Sequence, residues 1–255
     1  KSAAQRRGFA FYHFPPPWVE FLNVNTADRS LPLSFLPLTP IRRQKLYALL
    51  VLIAQAAIAV TGSIVRVTGS GLGCASWPEC HPGSFVPVAG QAEMLHQVIE
   101  FGNRLLTFVL VALTLLLFLS VMRVGRRNEI KLLAFLNGLG VIVQAVIGGI
   151  SVLVDLKWYA VALHFLPSMI LVWLAGMLFI KISEPDDGTA TRMYPRYLRY
   201  LAAASGLALT MTLITGTMVT GAGPHAGDAS VLPEDRLQLP IVDLAHIHAG
   251  FMYLY

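Results

Sequence analysis

An all-α membrane protein, built as two pseudo-repeated four-helix transmembrane halves with the second incomplete in this chain, is the fold that the sequence predicts. Three observations carry that expectation. Hydrophobic residues make up 55% of the chain and charged ones only 13%, a balance unlike that of ordinary soluble domains. The cations gather in alternate loops between apolar runs. The ends of the first and fifth apolar runs read almost alike.

The chain opens with residues 1–40, which mix prolines, aromatics and polar groups, as in Phe14-Pro15-Pro16-Pro17-Trp18, without a helical period. The first apolar run is too long for a signal peptide and no cleavage site follows it. Residues 1–44 are therefore expected to form a poorly ordered cytoplasmic tail. Apolar runs follow at 45–66, 97–122, 130–153, 158–181 and 198–220, each meeting the roughly 20 residues that a helical span requires. A sixth starts near Pro240 and stops at Tyr255. The chain thus reads as part of a longer protein: a first half over 45–183, a cytoplasmic linker over 184–197, and the start of a second half over 198–255.

The connections alternate in length. The first outer loop is rich in glycine and proline and runs from about Thr68 to Gln91; the next, around Asp155, is short enough to make spans three and four a tight hairpin; the third is long again, from Gly221 to about Leu239. Span one ends Thr61-Gly62-Ser63-Ile64-Val65, then Thr68-Gly69-Ser70-Gly71. Span five ends Thr215-Gly216-Thr217-Met218-Val219, then Thr220-Gly221-Ala222-Gly223. In both cases a long loop and then a histidine-bearing helix follow. Parallel duplication of a four-helix unit accounts for this pattern and predicts eight spans in the intact protein.

Charge placement sets the expected orientation. Arg42, Arg43 and Lys45 precede span one; Arg123, Arg126, Arg127 and Lys131 separate spans two and three; Lys181, Arg192, Arg196 and Arg199 separate spans four and five. The opposite loops hold only Lys157 and Arg236, besides Arg66 at a helix end. The positive-inside rule then places the N-terminus in the cytoplasm, or on the matrix side in an organelle, and the chain as a multi-pass protein of the bilayer. These cations hug helix ends and form no patch, which argues against nucleic acid as a partner. Cys74 and Cys80 share the first outer loop. Outside the cytosol they are free to pair as a disulfide; two unrelated thiols, or a metal pair helped by His81, are the alternatives.

Ionisable groups are few within the spans, and they share a depth. His96, Glu100 and Arg104 open span two, His164 opens span four, His246 and His248 open the sixth, and Arg66 closes the first at the same side. Such groups are costly in hydrocarbon and normally face a cavity, a partner or a cofactor. His96, Glu100 and Asn103 lie on one helical stripe, and Arg104 is one turn from Glu100 and can pair with it. A salt-bridged helix end is the plain reading. The functional one notes that Glu100 sits roughly 10 Å along the helix from Gln91–Glu93, at about 1.5 Å per residue. His164 and His248 fit haem held between helices by imidazole at matched depth; His246 is on another face. Arg66 and Arg104 can pair with porphyrin propionates, or Arg66 can simply mark the membrane boundary. Gln144 precedes Gly148-Gly149 by one turn, where glycines allow close helix packing or room for a flat ring. His81 and His225, in the outer loops, are expected at the surface. The polar residues gather at one membrane face, which argues against a transporter with a polar path to both.

Several of these segments resemble the haem A synthase family. They are Thr61-Gly62-Ser63-Ile64-Val65-Arg66-Val67-Thr68-Gly69-Ser70-Gly71-Leu72-Gly73-Cys74 with Trp77-Pro78-Glu79-Cys80, then Ile99-Glu100-Phe101-Gly102-Asn103-Arg104, Gln144 with Gly148-Gly149, Ala162-Leu163-His164-Phe165, and Ile247-His248-Ala249. The resemblance implies an eight-helix bacterial plasma-membrane enzyme that oxidises the C8 methyl group of haem O to the formyl group of haem A for terminal oxidases. It implies haem b as cofactor and haem O as substrate. Implied partners are the haem O synthase that supplies it and a quinone or other electron acceptor; a homo-oligomer is possible on the same grounds. On that basis His164 and His248 are axial haem ligands, Glu100 is the catalytic acid, and Cys74 and Cys80 form the outer-loop pair. The family usually has histidine where this chain has Asn103, a poor iron ligand. That leaves a five-coordinate haem on His164, recruitment of His96, or a relaxed substrate site. The competing function is a di-haem electron carrier between quinone and a partner, which predicts two histidines at each haem.

Overall fold

The computed structural model describes residues 33, 35–186, 194–224, 227–228 and 230–255. Five helices are long and apolar enough to cross a membrane: α1 (Ile41–Val67), α2 (Met94–Val124), α3 (Asn128–Leu153), α4 (Trp158–Lys181) and α5 (Arg196–Ala222). A shorter helix, α6 (Ile241–Leu254), follows a 3₁₀ turn at Pro233–Asp235. The expected tail falls outside the described residues through 32, and the part of the linker over 187–193 does too.

The helices start and stop for local reasons. Pro40, Pro195 and Pro240 stand immediately before α1, α5 and α6, where a missing N–H costs nothing. Gly125 ends α2 in the left-handed conformation at φ 70°, the usual glycine stop. The α3–α4 hairpin is as tight as expected, with Asp155 and Leu156 both at positive φ.

The first four helices close into a ring in which α1 packs on α2 and α4, and α3 packs on the same two. Its core is small and apolar, including Ala48, Val51, Leu117, Ala134, Val141 and Ala175. Alanines at these contacts let backbones approach closely, which is what drives helix association where hydrocarbon surrounds everything. Large apolar side chains point outward instead: Ile53, Phe108, Trp173 and Leu207 are each more than half exposed. Helices α5 and α6 pack on each other and reach the ring through α4.

The ring's two ends differ. At the basic end Arg126 is almost wholly buried. It donates to Asp186, to Gln44 Oε1, and to the carbonyls of Ile182 and Glu184. One guanidinium therefore ties together the start of α1, the α2–α3 turn and the end of α4. The sequence reading took Arg126 only as a topology-setting cation. Buried polar residues also continue into this half, at Thr114, Ser120 and Asn137, so the polar groups do not all gather at one end. Each donates to a carbonyl of its own helix, the usual way such donors are satisfied in hydrocarbon, while Asn137 Oδ1 is left buried without a partner.

At the other end the two halves meet. Gly71 N–H donates to Gly227 O at 2.8 Å. Leu156 is buried with Val231, and Leu72 and Val161 pack on them.

Candidate functional site

The loop end of the ring holds a cavity of about 490 Å³, within the size range of cofactor sites. Its walls come from α1 to α4 together with Trp77 of the first loop, and Thr212, Gly216 and His248 complete it from α5 and α6. Glu100, Asn103, Arg104, Gln144, His164 and Arg66 all line it.

The acid and the disulfide form one assembly. Cys74 and Cys80 are bonded and fully buried, which removes the free-thiol and metal-pair alternatives. Glu100 Oε2 accepts the main-chain N–H of Cys74 at 2.6 Å, and Oε1 accepts Arg104 Nη2 at 2.5 Å and Nε at 3.1 Å. Arg104 then donates to the carbonyls of Cys74, Ser76 and Glu79. Residues 74–80 are thereby fastened to α2, with Trp77 at the tip, preceding a cis Pro78. The indole lies over Gly149, where any β-carbon would run into it. The sequence offered Arg104 to propionates; here loop carbonyls and Glu100 engage its donors.

Two imidazoles enter the cavity, each against a glycine. A β-carbon on Gly148 would stand 2.9 Å from Cε1 of His164, and one on Gly216 would stand 2.9 Å from Cε1 of His248. Glycine at both places is what admits the rings. Pro167 stands one turn beyond His164 inside α4, and Ser168 Oγ donates to His164 O at 2.7 Å. The missing N–H of Pro167 leaves the Leu163 carbonyl without its helical partner, and Ser168 back-bonds to the next carbonyl along. Nδ1 of His164 is buried without a well-formed hydrogen bond, and the Gln144 main chain is the polar group that acts on the ring. His248 Nδ1 lies 3.0 Å from Thr212 O, a contact that leaves Nε2 for a ligand.

The remaining predicted residues divide clearly. Asn103 is on the wall, with Oδ1 accepting the Thr61 hydroxyl at 2.6 Å. His96 is not on the wall: Nδ1 meets Ser70 Oγ at 2.8 Å, and Nε2 meets Glu93 at 3.3 Å. His246 is exposed on another face of α6, and His225 lies outside the described residues. His81, expected at the surface, is buried, with Nε2 2.8 Å from Gln97 Oε1. Gln97, which sequence reasoning missed, also bonds Val88 and Ala92 and folds the loop down onto α2. Its only sequence signal is an amide in the first turn of an apolar helix.

A polytopic helical membrane protein with imidazoles and a carboxylate converging on one cavity is the class this geometry defines. Residues 45–236 match the model of the cytochrome oxidase assembly protein family, COX15-CtaA, and the chain belongs to that family. It is similar to the heme A synthase of Lysinibacillus sphaericus, at 30% identity over 76% of this chain and 62% of the relative. Similarity to the heme A synthase of Staphylococcus haemolyticus is 31% over 70% and 59%. For that of Macrococcus caseolyticus it is 32% over 56% and 48%. The chain thus spans about half to three-fifths of these relatives. No solved structure matches.

Proposed function

We propose that this protein is a haem A synthase, oxidising the C8 methyl group of haem O to a formyl group. The observation that carries the reading is His164: a buried imidazole whose Nδ1 makes no well-formed hydrogen bond, in the same cavity as a carboxylate and a second imidazole. Those donors suit haem, and an apolar wall backed by glycines suits a flat ring.

His164 would hold haem in the first half and His248 in the second, and Arg66, on the cavity wall, would take a propionate. Bound haem would supply the electron-transfer and oxidative chemistry that side chains lack. Glu100 would accept protons released as the methyl carbon is oxidised; Arg104 and the Cys74 N–H hold its carboxylate in place for that task. Trp77 and the disulfide loop would cover the site and limit water.

Register within the duplicated pairs supports placing the oxidation in the first half. Matching Asn103 with His248 puts Ala245 and Ala249 where the first half has Glu100 and Arg104. The acid–guanidinium pair thus has no counterpart in the second half. The same match leaves the first half short of one imidazole, which suits a reacting haem better than a two-histidine electron carrier. Haem O synthase, a quinone acceptor and an orientation with the basic end in the cytoplasm of a bacterial plasma membrane complete the proposal.

The test is mass analysis of haem extracted from membranes that contain haem O and this protein. Haem A should form, and should vanish with Glu100→Gln. Bound haem b without haem A would favour the electron carrier instead.

A further inference from the structure

The helix pairs α1–α2 and α5–α6 repeat each other at the level of single contacts. The Thr61 hydroxyl is within bonding distance of the Ala57 and Ile58 carbonyls, and that of Thr215 reaches Met211 and Thr212 in the same way. Each threonine precedes a glycine. Each hydroxyl also meets one side chain of the partner helix: Asn103 Oδ1 at 2.6 Å, and His248 Nδ1 at 3.3 Å. Asn103 therefore occupies in the first pair the place that His248 occupies in the second.

The two glycines see different surroundings. The imidazole of His248 fills the space over Gly216 to within 2.9 Å of the β-carbon position. Over Gly62 nothing comes within 4 Å of that position. Asparagine is shorter than histidine, and the Thr61 bond holds its carboxamide back. The result is a recess on the cavity wall whose counterpart in the other half accommodates an imidazole. Asn103 lines that wall, and among the described residues its carboxamide bonds Thr61 through Oδ1, which leaves the amide N–H groups for a ligand.

We propose that the recess bounded by Thr61, Gly62 and Asn103 is a binding site for one small neutral molecule bearing a nitrogen or oxygen lone pair, up to the size of imidazole. It opens on the cavity that His164 lines, and the second half has no equivalent, because His248 fills it. The inference rests on the haem reading only for its spectroscopic readout; the recess itself is a feature of the apoprotein.

Imidazole is the probe, added to the full chain in lipid nanodiscs and followed both by haem absorption and by ligand-observed NMR. The wild type should bind one imidazole. Where haem is present, its spectrum should move to a low-spin form. Gly62→Leu should fill the recess and weaken binding by about tenfold or more, as should Asn103→His, which should be low-spin without added ligand. Gly206→Leu, on α5 away from the cavity and with nothing within 4 Å of its β-carbon position, serves as the folded control and should bind. NMR-detected binding that Gly62→Leu abolishes, in protein that takes up no haem when haem is supplied, would uphold the recess and sink the haem reading. Binding unaltered by Gly62→Leu in haem-loaded protein would overturn the recess and leave the haem reading standing.

Discussion

The main-chain N–H of Cys74 donates to Oε2 of Glu100 at 2.6 Å, so the acid on α2 and the disulfide of the outer loop are in direct contact. A carboxylate expected to handle protons and to pair with Arg104 also anchors the cover of its own site. These two roles come apart on substitution.

Glu100→Gln keeps an oxygen that can accept from Cys74 but loses the charge that holds Arg104. Glu100→Ala loses both. Hydrogen bonds to charged groups contribute about 1.5–3 kcal/mol each. Both variants should fail to make haem A, yet only the alanine should expose the loop between α1 and α2 to added protease. Equal protease resistance in the two would show that the carboxylate does not anchor the loop.

Arg104→Lys should behave like a loss. The guanidinium serves Glu100 and the carbonyls of Cys74, Ser76 and Glu79 together, and an ammonium cannot reproduce that planar fork. Loop protection should fall as far as in Glu100→Ala. A lysine variant with wild-type protection would contradict the clamp.

Reducing the Cys74–Cys80 bond should free Trp77 from its seat on Gly149. Acrylamide quenching of tryptophan emission should rise on reduction in the wild type. The rise should be absent in Trp77→Phe, which isolates this indole from the other tryptophans. An unchanged quenching curve would mean that the Glu100 and Arg104 contacts hold the loop without the disulfide.

Gly149→Ala places a methyl group against the Trp77 indole. Overpacking of this kind costs about 1–3 kcal/mol. The variant should still insert and fold, because the collision is with a loop side chain, but should show the quenching of the reduced protein. Wild-type quenching would show that the indole has another resting place.

Much of this was legible along the chain because the membrane imposes length and charge rules that leave direct marks. The five spans, the tight turn at Asp155 and the matched Thr-Gly motifs at Thr61 and Thr215 are of that kind. The Glu100–Arg104 pair was legible from helical spacing alone. What stayed hidden depends on chain segments folding back. Arg126 looked like one more cation at a helix end until α4 and Gln44 closed around it. His81 looked exposed because Gln97, its partner, lies across a loop whose path no periodicity records. Trp77 gave no sign of reaching Gly149 on α3.

The joint at Leu156 bears on how the protein is made. Its side chain would come within 2.6 Å of a β-carbon on Gly71, and it stands 3.0 Å from one on Gly227. Leu156 belongs to the α3–α4 turn, synthesised before α5 exists. A chain emerging from the ribosome can therefore complete its first ring, Arg126 staple included, with this leucine already presented at the surface. The later helices then dock against a finished template and need not find their partners in a loose bundle. Translation order can then serve as assembly order, the first bundle being complete before a second, similar one enters the membrane.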